Sequence, residues 1–313
     1  MESILLSLNV MLPVFLTILL GVVFQKIGLM PRRMVRDLNR LCFKCFLPVM
    51  LFNNVRATDF RQYFEGPLIC YAIVSVLLLF AVLLWVVPRF VPHPEQQSVM
   101  IQGIYRSNYV ILGIPIVSNI YQGESIATIT MLIAVIVPLF NLLAVYLFER
   151  FNGANQHDPL KMAGSIARNP LILATLLGMV YTLVGLEFPA FLDKTLADLG
   201  AITIPLALLI LGADLDLNLD ATHLHLLTAA TLGKILLVPC LFLPPAIFLG
   251  FRGQALASLL AMYASPAAVS GYIMAQNENA DHQLAGQIVV VTSIISCFTL
   301  FLFIALLRQL ALI

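Results

Sequence analysis

Long apolar stretches, separated by short polar connectors, run along the whole chain. A transmembrane helix needs about 20 consecutive residues that are mostly apolar. This criterion predicts ten such helices, at residues 4–24, 38–55, 67–87, 98–118, 126–148, 169–186, 196–213, 224–249, 255–276 and 284–307. The stretches are longer than the strands of a membrane β-barrel, which take about 9–11 residues each. The pattern therefore predicts an all-α integral membrane protein.

The longest polar connector, residues 149–168, lies near the middle of the chain. It divides the predicted helices into two sets of five, within residues 1–148 and 169–313. Because each set holds an odd number of helices, the second set enters the membrane from the opposite side. Such an inverted-topology repeat is found in many secondary transporters. The predicted architecture is therefore a five-plus-five inverted repeat.

Two short polar strings interrupt the fourth and ninth predicted helices at equivalent places. Residues 105–113 read YRSNYVILG, and residues 263–271, which start 158 positions later, read YASPAAVSG. Asn108 and Pro266 are equivalent at this offset, and both residue types disfavour a continuous helix. Paired interruptions in the two halves of a transporter point to its binding site. The predicted substrate site comprises Arg106, Ser107, Asn108, Tyr109, Ser265, Pro266 and Ala267.

A second pair of prolines supports the same register. Pro48 in LPVMLF and Pro205 in IPLALL lie 157 positions apart. A proline within a helix removes a backbone hydrogen bond and bends the helix. The sequence leaves two interpretations open for this pair, a structural kink or a part of the substrate site, and we include both prolines in the predicted site.

Arg106 is the most informative single residue, because it lies well inside an apolar stretch. An arginine at the centre of a bilayer costs about 2.5–3.5 kcal/mol on insertion scales. Its guanidinium binds a carboxylate through two parallel hydrogen bonds. We favour an anion-binding role over two alternatives, which are a snorkelling side chain and pairing with a fixed acid.

Lys234 is a second cation within a predicted helix. Desolvation disfavours the charged form of a lysine, so a buried lysine can release its proton. Lys234 and Asp214 are the candidates for proton coupling. We predict that Lys234 carries the proton or serves as a counter-charge, and that Asp214 is its most plausible acid. The alternative for Asp214 is a solvated acid in a connector.

Composition limits the class of function. The chain has 313 residues, of which 61% are hydrophobic and 11% charged, and its net charge is +1. This balance argues against nucleic acid as a partner. No GxxxxGK[ST], GxSxG or HExxH pattern is present, so we expect no ATP hydrolysis, no enzymatic activity, no metal and no cofactor. The first 24 residues lack a basic segment and a cleavage site, which indicates a retained helix.

The distribution of basic residues predicts the orientation. If the first connector is cytoplasmic, nine Lys and Arg residues lie inside and five lie outside. The positive-inside rule then places both termini outside.

Five strings resemble the auxin efflux carrier family in sequence and in order. They read LCFKCFLPVMLFNNV (41–55), QGIYRSNYVILGIPI (102–116), LGAITIPLALLILGADL (199–215), GKILLVP (233–239) and MYASPAAVSGYIMAQ (262–276). The resemblance is to bacterial members that are described as malate or malonate permeases. It implies broken fourth and ninth helices that cross at the site, as in bile-acid symporters. It also implies a scaffold and a transport domain, an elevator-like movement and a homodimer. The family's crossing Asn and Pro fall on Asn108 and Pro266.

The chain departs from the plant members in one respect. Their long cytoplasmic loop is replaced by the short 149–168 connector, so regulation through such a loop is not implied. The leading hypothesis is a secondary transporter of a small organic anion, a mono- or dicarboxylate, in the bacterial cytoplasmic (inner) membrane. A proton or sodium ion would be coupled to transport, and lipid would surround the protein. A channel, an intramembrane enzyme and a non-transporting sensor on the same scaffold are the alternatives.

Overall fold

A computed structural model describes residues 2–56, 65–121, 127–153, 158–215 and 221–313, and nearly all of them are helical. The helices are α1 Glu2–Lys26, α2 Arg32–Leu41, α3 Leu47–Arg56, α4 Gly66–Phe90, α5 Pro94–Tyr105, α6 Tyr109–Ile120, α7 Ala127–Phe151, α8 Pro159–Arg168, α9 Pro170–Val184, α10 Ala190–Asp214, α11 Ala221–Leu232, α12 Val238–Phe248, α13 Gly253–Ala264, α14 Val269–Asn277 and α15 His282–Gln309. π-Helical turns join α2 to α3 at Cys42–Phe46 and α11 to α12 at Gly233–Leu237.

Within the described residues, five helical segments are long and apolar enough to cross a membrane. They are α4, α7, α10, α15 and the run His223–Phe248, and the pair α8 and α9, bent by 63°, would make a sixth. The sequence pattern predicted ten. Two of the predicted helices, 98–118 and 255–276, are each split into two half-helices. Each half-helix is too short to cross a membrane by itself.

The connector at 149–168 is more helical than predicted. α7 continues to Phe151, and α8 occupies Pro159–Arg168. The Asp158 carboxylate accepts hydrogen bonds from the backbone N–H groups of Leu160 and Lys161, which caps the helix, and proline is favoured at the first helical position. The bend into α9 follows from Asn169 and Pro170, because these residues end one helix and cap the next.

Apart from α8, which packs on α7 and α9, the helices form two packed groups. One group, here called the panel group, comprises α1, α2, α3, α9 and α10, with α1 against α10 and α3 against α9 and α10. The other, here called the crossing group, comprises α4–α7 and α11–α15. Many large apolar side chains remain exposed on both groups, including Leu19, Trp85, Leu183 and Phe298. Such an apolar exterior matches lipid as the surrounding solvent.

The panel group contains a very close helix contact, where Gly21 of α1 meets Gly212 of α10. A Cβ atom added to Gly212 would lie 2.0 Å from the Ile18 carbonyl oxygen. Small residues allow helix backbones to approach closely in membranes, where apolar burial does not drive helices together. This contact therefore depends on the absence of side chains.

We expect Gly212→Ala to destabilise the protein by about 1–3 kcal/mol, because the added methyl group forces α1 away from α10. Thermal unfolding in detergent measures the effect. Gly164→Ala in α8 is the matched control, since a Cβ there meets nothing within 4 Å. It should leave stability unchanged or raise it by about 0.5–1 kcal/mol through helix propensity. Equal effects of the two substitutions would contradict the close-packing explanation.

Alternate connectors along the chain meet at opposite ends of the bundle. At the end that contains Lys26 and Arg32, here called the basic end, these residues share a cavity with Asp214 and His282. The next connectors reach the same end. Asp281 contacts Gln96 and His223. Glu278 lies near Glu149 at this end, and burial together with the Glu149 carboxylate raises the pKa of Glu278.

The opposite end, here called the far end, gathers the remaining connectors. Arg56 forms an ion pair with Asp193, and the Thr128 hydroxyl donates to the Glu65 carboxylate over 3.1 Å. The Gly253 N–H donates to the Leu312 carbonyl over 2.9 Å. Within the described residues, the helix ends that flank successive connectors therefore alternate between the basic end and the far end.

Candidate functional site

The two interrupted helices cross at the centre of the crossing group. α5 ends at Tyr105 and α6 begins at Tyr109, while α13 ends at Ala264 and α14 begins at Val269. The segments between them are extended and pair in antiparallel fashion at Ser107 and Ala267. The Asn108 N–H donates to the Pro266 carbonyl over 2.8 Å. Four half-helix ends therefore meet at one place.

The local sequence explains why both helices stop here. A residue that precedes proline is pushed towards extended backbone, and Ser265 has φ −64° and ψ 147°. Asn108 is the N-cap residue of α6, a position where asparagine is common, and its side chain makes no capping hydrogen bond. The N-termini of α6 and α14 bring free N–H groups and partial positive charge to the crossing. This environment favours an anion.

Arg106 lies at the crossing and is only 4% exposed. Its guanidinium donates to the Asn141 Oδ1 over 2.6 Å and to the Ser270 hydroxyl over 2.8 Å. A third contact, of 3.0 Å, joins Nη1 to the Met274 sulfur. All three partners are neutral, and among the described residues no carboxylate pairs with Arg106. The guanidinium is thus buried without a fixed counter-charge.

Two further polar groups at the crossing have no hydrogen-bond partner in the described part of the protein. They are the Ser107 hydroxyl and the Asn141 amide nitrogen. Leaving a buried polar group unsatisfied costs about 1–3 kcal/mol. Together with Arg106, these groups offer hydrogen bonds to an oxygen-rich ligand.

A cavity of about 50 Å³ adjoins Arg106, Ser107 and Asn108 and reaches the panel group. A second cavity, of about 840 Å³, is lined by Arg56 and Asp193 at the far end. The two cavities share four lining residues, Met50, Asn54, Val110 and Ile204. A cavity of about 920 Å³ at the basic end shares no lining residue with the cavity at the crossing. Of these two large cavities, only the far-end cavity shares lining residues with the crossing cavity in the part of the chain that the structure describes.

Four other predicted site residues, Tyr109, Ser265, Pro266 and Ala267, lie in or beside the interrupted segments. Tyr109 lines the small cavity, and its hydroxyl donates to the Ser258 carbonyl over 3.2 Å. Pro266 and Ala267 contribute backbone: Pro266 accepts the bond from Asn108, and the Ala267 N–H donates to the Thr292 hydroxyl over 3.1 Å. Ser265 is fully buried, and its hydroxyl donates to the Ala261 carbonyl of its own helix.

Pro48 and Pro205 lie outside the lining of the crossing cavity. Pro48 is the second residue of α3, directly after the first π-helical turn. Pro205 is within α10 and exposed, while its neighbour Ile204 lines the cavity. The kink interpretation fits these positions better than direct contact with a ligand.

Lys234 is in the second π-helical turn and is completely buried. Its Nζ has no hydrogen-bond partner among the described residues. Gly233 beside it packs on Ile104, two residues before Arg106, because a Cβ on Gly233 would lie 3.2 Å from the Ile104 Cδ1. π-Helical turns are frequent at functional sites.

The predicted pairing of Lys234 with Asp214 is wrong. The Asp214 carboxylate accepts hydrogen bonds from the Tyr272 hydroxyl over 2.9 Å and from the Gln276 amide over 3.1 Å. It also lies 3.3 Å from the His282 Nε2. The alternative of a solvated acid in a connector fits only in part, since Asp214 lines the basic-end cavity but ends α10 and has a side chain that is 14% exposed. The sequence placed Asp214 at a helix end. It did not reveal that α14 ends and α15 begins beside this residue.

Sequence reasoning missed Asn141, Ser270 and Met274, which hold the Arg106 guanidinium. Asn141 had a usable signal, because it is a lone amide in the apolar run VPLFNLLAVYLF, and polar residues inside membrane helices mark sites. Ser270 and Met274 had none. Among the described residues, no three His, Cys, Asp or Glu side chains are grouped so that they could hold a metal ion.

An apolar helical bundle with two interrupted, crossing helices around a buried arginine defines an integral membrane transport protein. The model of the family described as membrane transport protein matches residues 6–159 and 159–304. The chain belongs to this family, the auxin efflux carriers.

Two relatives that are themselves named as uncharacterized transporters cover most of the chain. The transporter YfdV of Escherichia coli (strain K12) is 24% identical over 280 residues, which is 86% of this chain and 87% of the relative. A transporter of Methanothermobacter thermautotrophicus is 22% identical over 297 residues, which is 94% of this chain and 96% of the relative. Their names state transport and no substrate.

Proposed function

We propose that the protein is a secondary active transporter of a small organic anion, a mono- or dicarboxylate, with its binding site at the helix crossing. The observation that carries the proposal is the buried Arg106 guanidinium, which has only neutral partners. A buried charge is costly unless it is paired. A carboxylate at the crossing would supply the missing charge and accept from Ser107 and Asn141.

One-sided access supports a carrier over the channel alternative. The crossing cavity shares lining residues with the far-end cavity and shares none with the cavity at the basic end. A channel needs a continuous pore lined by charges or carbonyls. A carrier instead exposes its site to one side at a time.

The crossing cavity also lies between the two helix groups, with Leu51 and Ile204 from the panel group facing Val137 and Phe140 from the crossing group. This position suits an elevator-type mechanism, in which the crossing group carries the substrate past a static panel group. A homodimer through the panel group is part of the proposal, as the resemblance implies. An enzyme would need a paired nucleophile and base, and a sensor on the same scaffold would bind the anion without moving it.

The proposed topology is ten crossings in two inverted sets, within residues 1–148 and 169–313. The alternation of connectors between the basic end and the far end supports it, because every helix or pair of half-helices then crosses once. The basic residues of the segment from Lys26 to Arg36 support a cytoplasmic position for the basic end. Both termini then lie outside the cytoplasmic membrane of a bacterium.

Transport into proteoliposomes tests the function. Purified protein would be reconstituted and supplied with a panel of radiolabelled mono- and dicarboxylates, with and without pH or sodium gradients. A carrier is supported if uptake exceeds that of protein-free liposomes and saturates as the substrate concentration rises. Binding of a carboxylate without any uptake would favour the sensor, and uptake that does not saturate would favour the channel.

Cysteine labelling tests the topology on a variant without the five native cysteines. Lys161→Cys in α8 and Lys194→Cys in α10 add single thiols at exposed lysines. An impermeant maleimide should label position 194 in intact cells and position 161 only in inside-out vesicles. The same side for both positions would contradict the proposed crossings.

A further inference from the structure

Asp214 joins the two helix groups at the basic end. It is the last residue of α10 in the panel group, and its carboxylate contacts Tyr272 and Gln276 of α14 and His282 of α15. The Gln283 amide adds a fourth contact, since it donates to the Asp214 carbonyl over 3.0 Å. All four partners belong to the crossing group. Asp214 thus links α14 and α15 to the end of α10.

This contact is at the end whose large cavity shares no lining residue with the crossing cavity. The 920 Å³ cavity at the basic end is lined by Asp214, Gln276, His282 and Gln283. Tyr272 lines a different cavity, of about 10 Å³, which also touches Arg106 and is separate from the crossing cavity. The bonded Asp214–Tyr272 pair therefore stands between the two spaces. Lys26, Arg32 and Arg36 line the same basic-end cavity and offer an attractive path for an anion.

We propose that Asp214 is a positioning residue that keeps the basic end closed while the crossing is open to the far end. The inference rests on the proposed carrier function, because it assigns the contact to one of two alternating states. Movement of the crossing group relative to the panel group must break the contacts of Asp214 with Tyr272, Gln276 and His282. Loss of these contacts shifts the population towards the state that is open at the basic end.

Asp281 provides a matched control at the same end. Its carboxylate also pairs with a histidine, His223, over 3.2 Å, and accepts from Gln96 over 3.2 Å. These partners are on α11 and α5, so the whole cluster lies within the crossing group. Removal of the Asp281 charge should therefore leave the balance between the two states unchanged.

The experiment measures access to the crossing without measuring transport. Ser107→Cys, in the variant without native cysteines, places a thiol on the crossing cavity. An impermeant maleimide is applied from the far end in intact cells and from the basic end in inside-out vesicles. With Asp214 intact, labelling should be faster from the far end. Asp214→Asn should raise the ratio of basic-end to far-end rates about tenfold, the effect of losing roughly 1.4 kcal/mol of charge-assisted bonding, and Asp214→Ala should raise it further.

The outcomes separate the inference from the function on which it rests. An unchanged ratio in folded Asp214→Asn and Asp214→Ala proteins, or an equal rise in Asp281→Asn, overturns the role of Asp214 and leaves the carrier proposal standing. Equal labelling from both sides with Asp214 intact, or labelling from neither, contradicts alternating access itself. Gel filtration and thermal unfolding confirm that each variant is folded.

Discussion

Replacement of Arg106 by glutamine is expected to weaken binding of the transported anion by about 2–5 kcal/mol, the usual cost of losing one member of a buried charged pair. This corresponds to a roughly 30-fold to several-thousandfold rise in Kd. The physical reason is that the partners of the guanidinium, Asn141, Ser270 and Met274, are all neutral. No fixed charge in the described surroundings would replace it.

Conservative substitutions sharpen this prediction. Arg106→Lys should recover only part of the affinity, because an ammonium cannot reproduce the planar fork that grips a carboxylate. Asn108→Ala should weaken binding less, since the backbone bond from Asn108 to Pro266 survives the change. The order of affinities expected from calorimetry is therefore wild type, then Arg106→Lys, then Arg106→Gln.

Arg89→Gln is the control for charge removal. Arg89 is exposed, with its guanidinium 3.8 Å from the centre of the Trp85 ring, and its loss should change the Kd less than twofold because surface substitutions are usually within about 0.5 kcal/mol. If folded Arg106→Gln protein bound the transported anion with unchanged affinity, the anion-site assignment would be wrong. Arg106 would then be a packing residue held by Asn141 and Ser270.

Lys234→Met is expected to change the pH dependence of transport and to stabilise the protein. The Lys234 ammonium is completely buried and has no hydrogen-bond partner in the described part of the protein. Methionine has a similar length and removes the unsatisfied group, which is worth about 1–3 kcal/mol. The thermal midpoint in detergent should rise. Uptake measured against pH should flatten, while the Kd of the substrate stays within a few-fold, because Lys234 is proposed to couple rather than to bind.

Lys44→Met is the matched control, because Lys44 occupies the other π-helical turn and is exposed. Its replacement should alter neither the thermal midpoint nor the pH profile. An unchanged pH profile in Lys234→Met would rule out a coupling role. A large loss of stability would instead show that the Lys234 charge is satisfied in the folded protein.

Several features followed from the sequence because they depend on short-range chemistry. Proline and asparagine disfavour a continuous helix, so their equivalent positions in the two halves, Asn108 and Pro266, marked the crossing. The apolar pattern predicted the helices, and the bilayer's demand for satisfied backbone groups makes helices the solution for such stretches. Arg106 stood out because a charged side chain within an apolar membrane segment is energetically costly and usually marks a functional site.

Other features depended on which helices pack together, and local sequence carries no record of that. Asn141 meets Arg106 from α7, 35 positions along the chain, and only the packed bundle shows that the arginine has neutral partners. The same holds at the basic end. Asp214 bonds Tyr272, Gln276 and His282 rather than Lys234, because α14 and α15 return to the end of α10. The sequence by itself indicated most of the apolar helices and the places where two of them break, and tertiary packing decided which polar groups are paired.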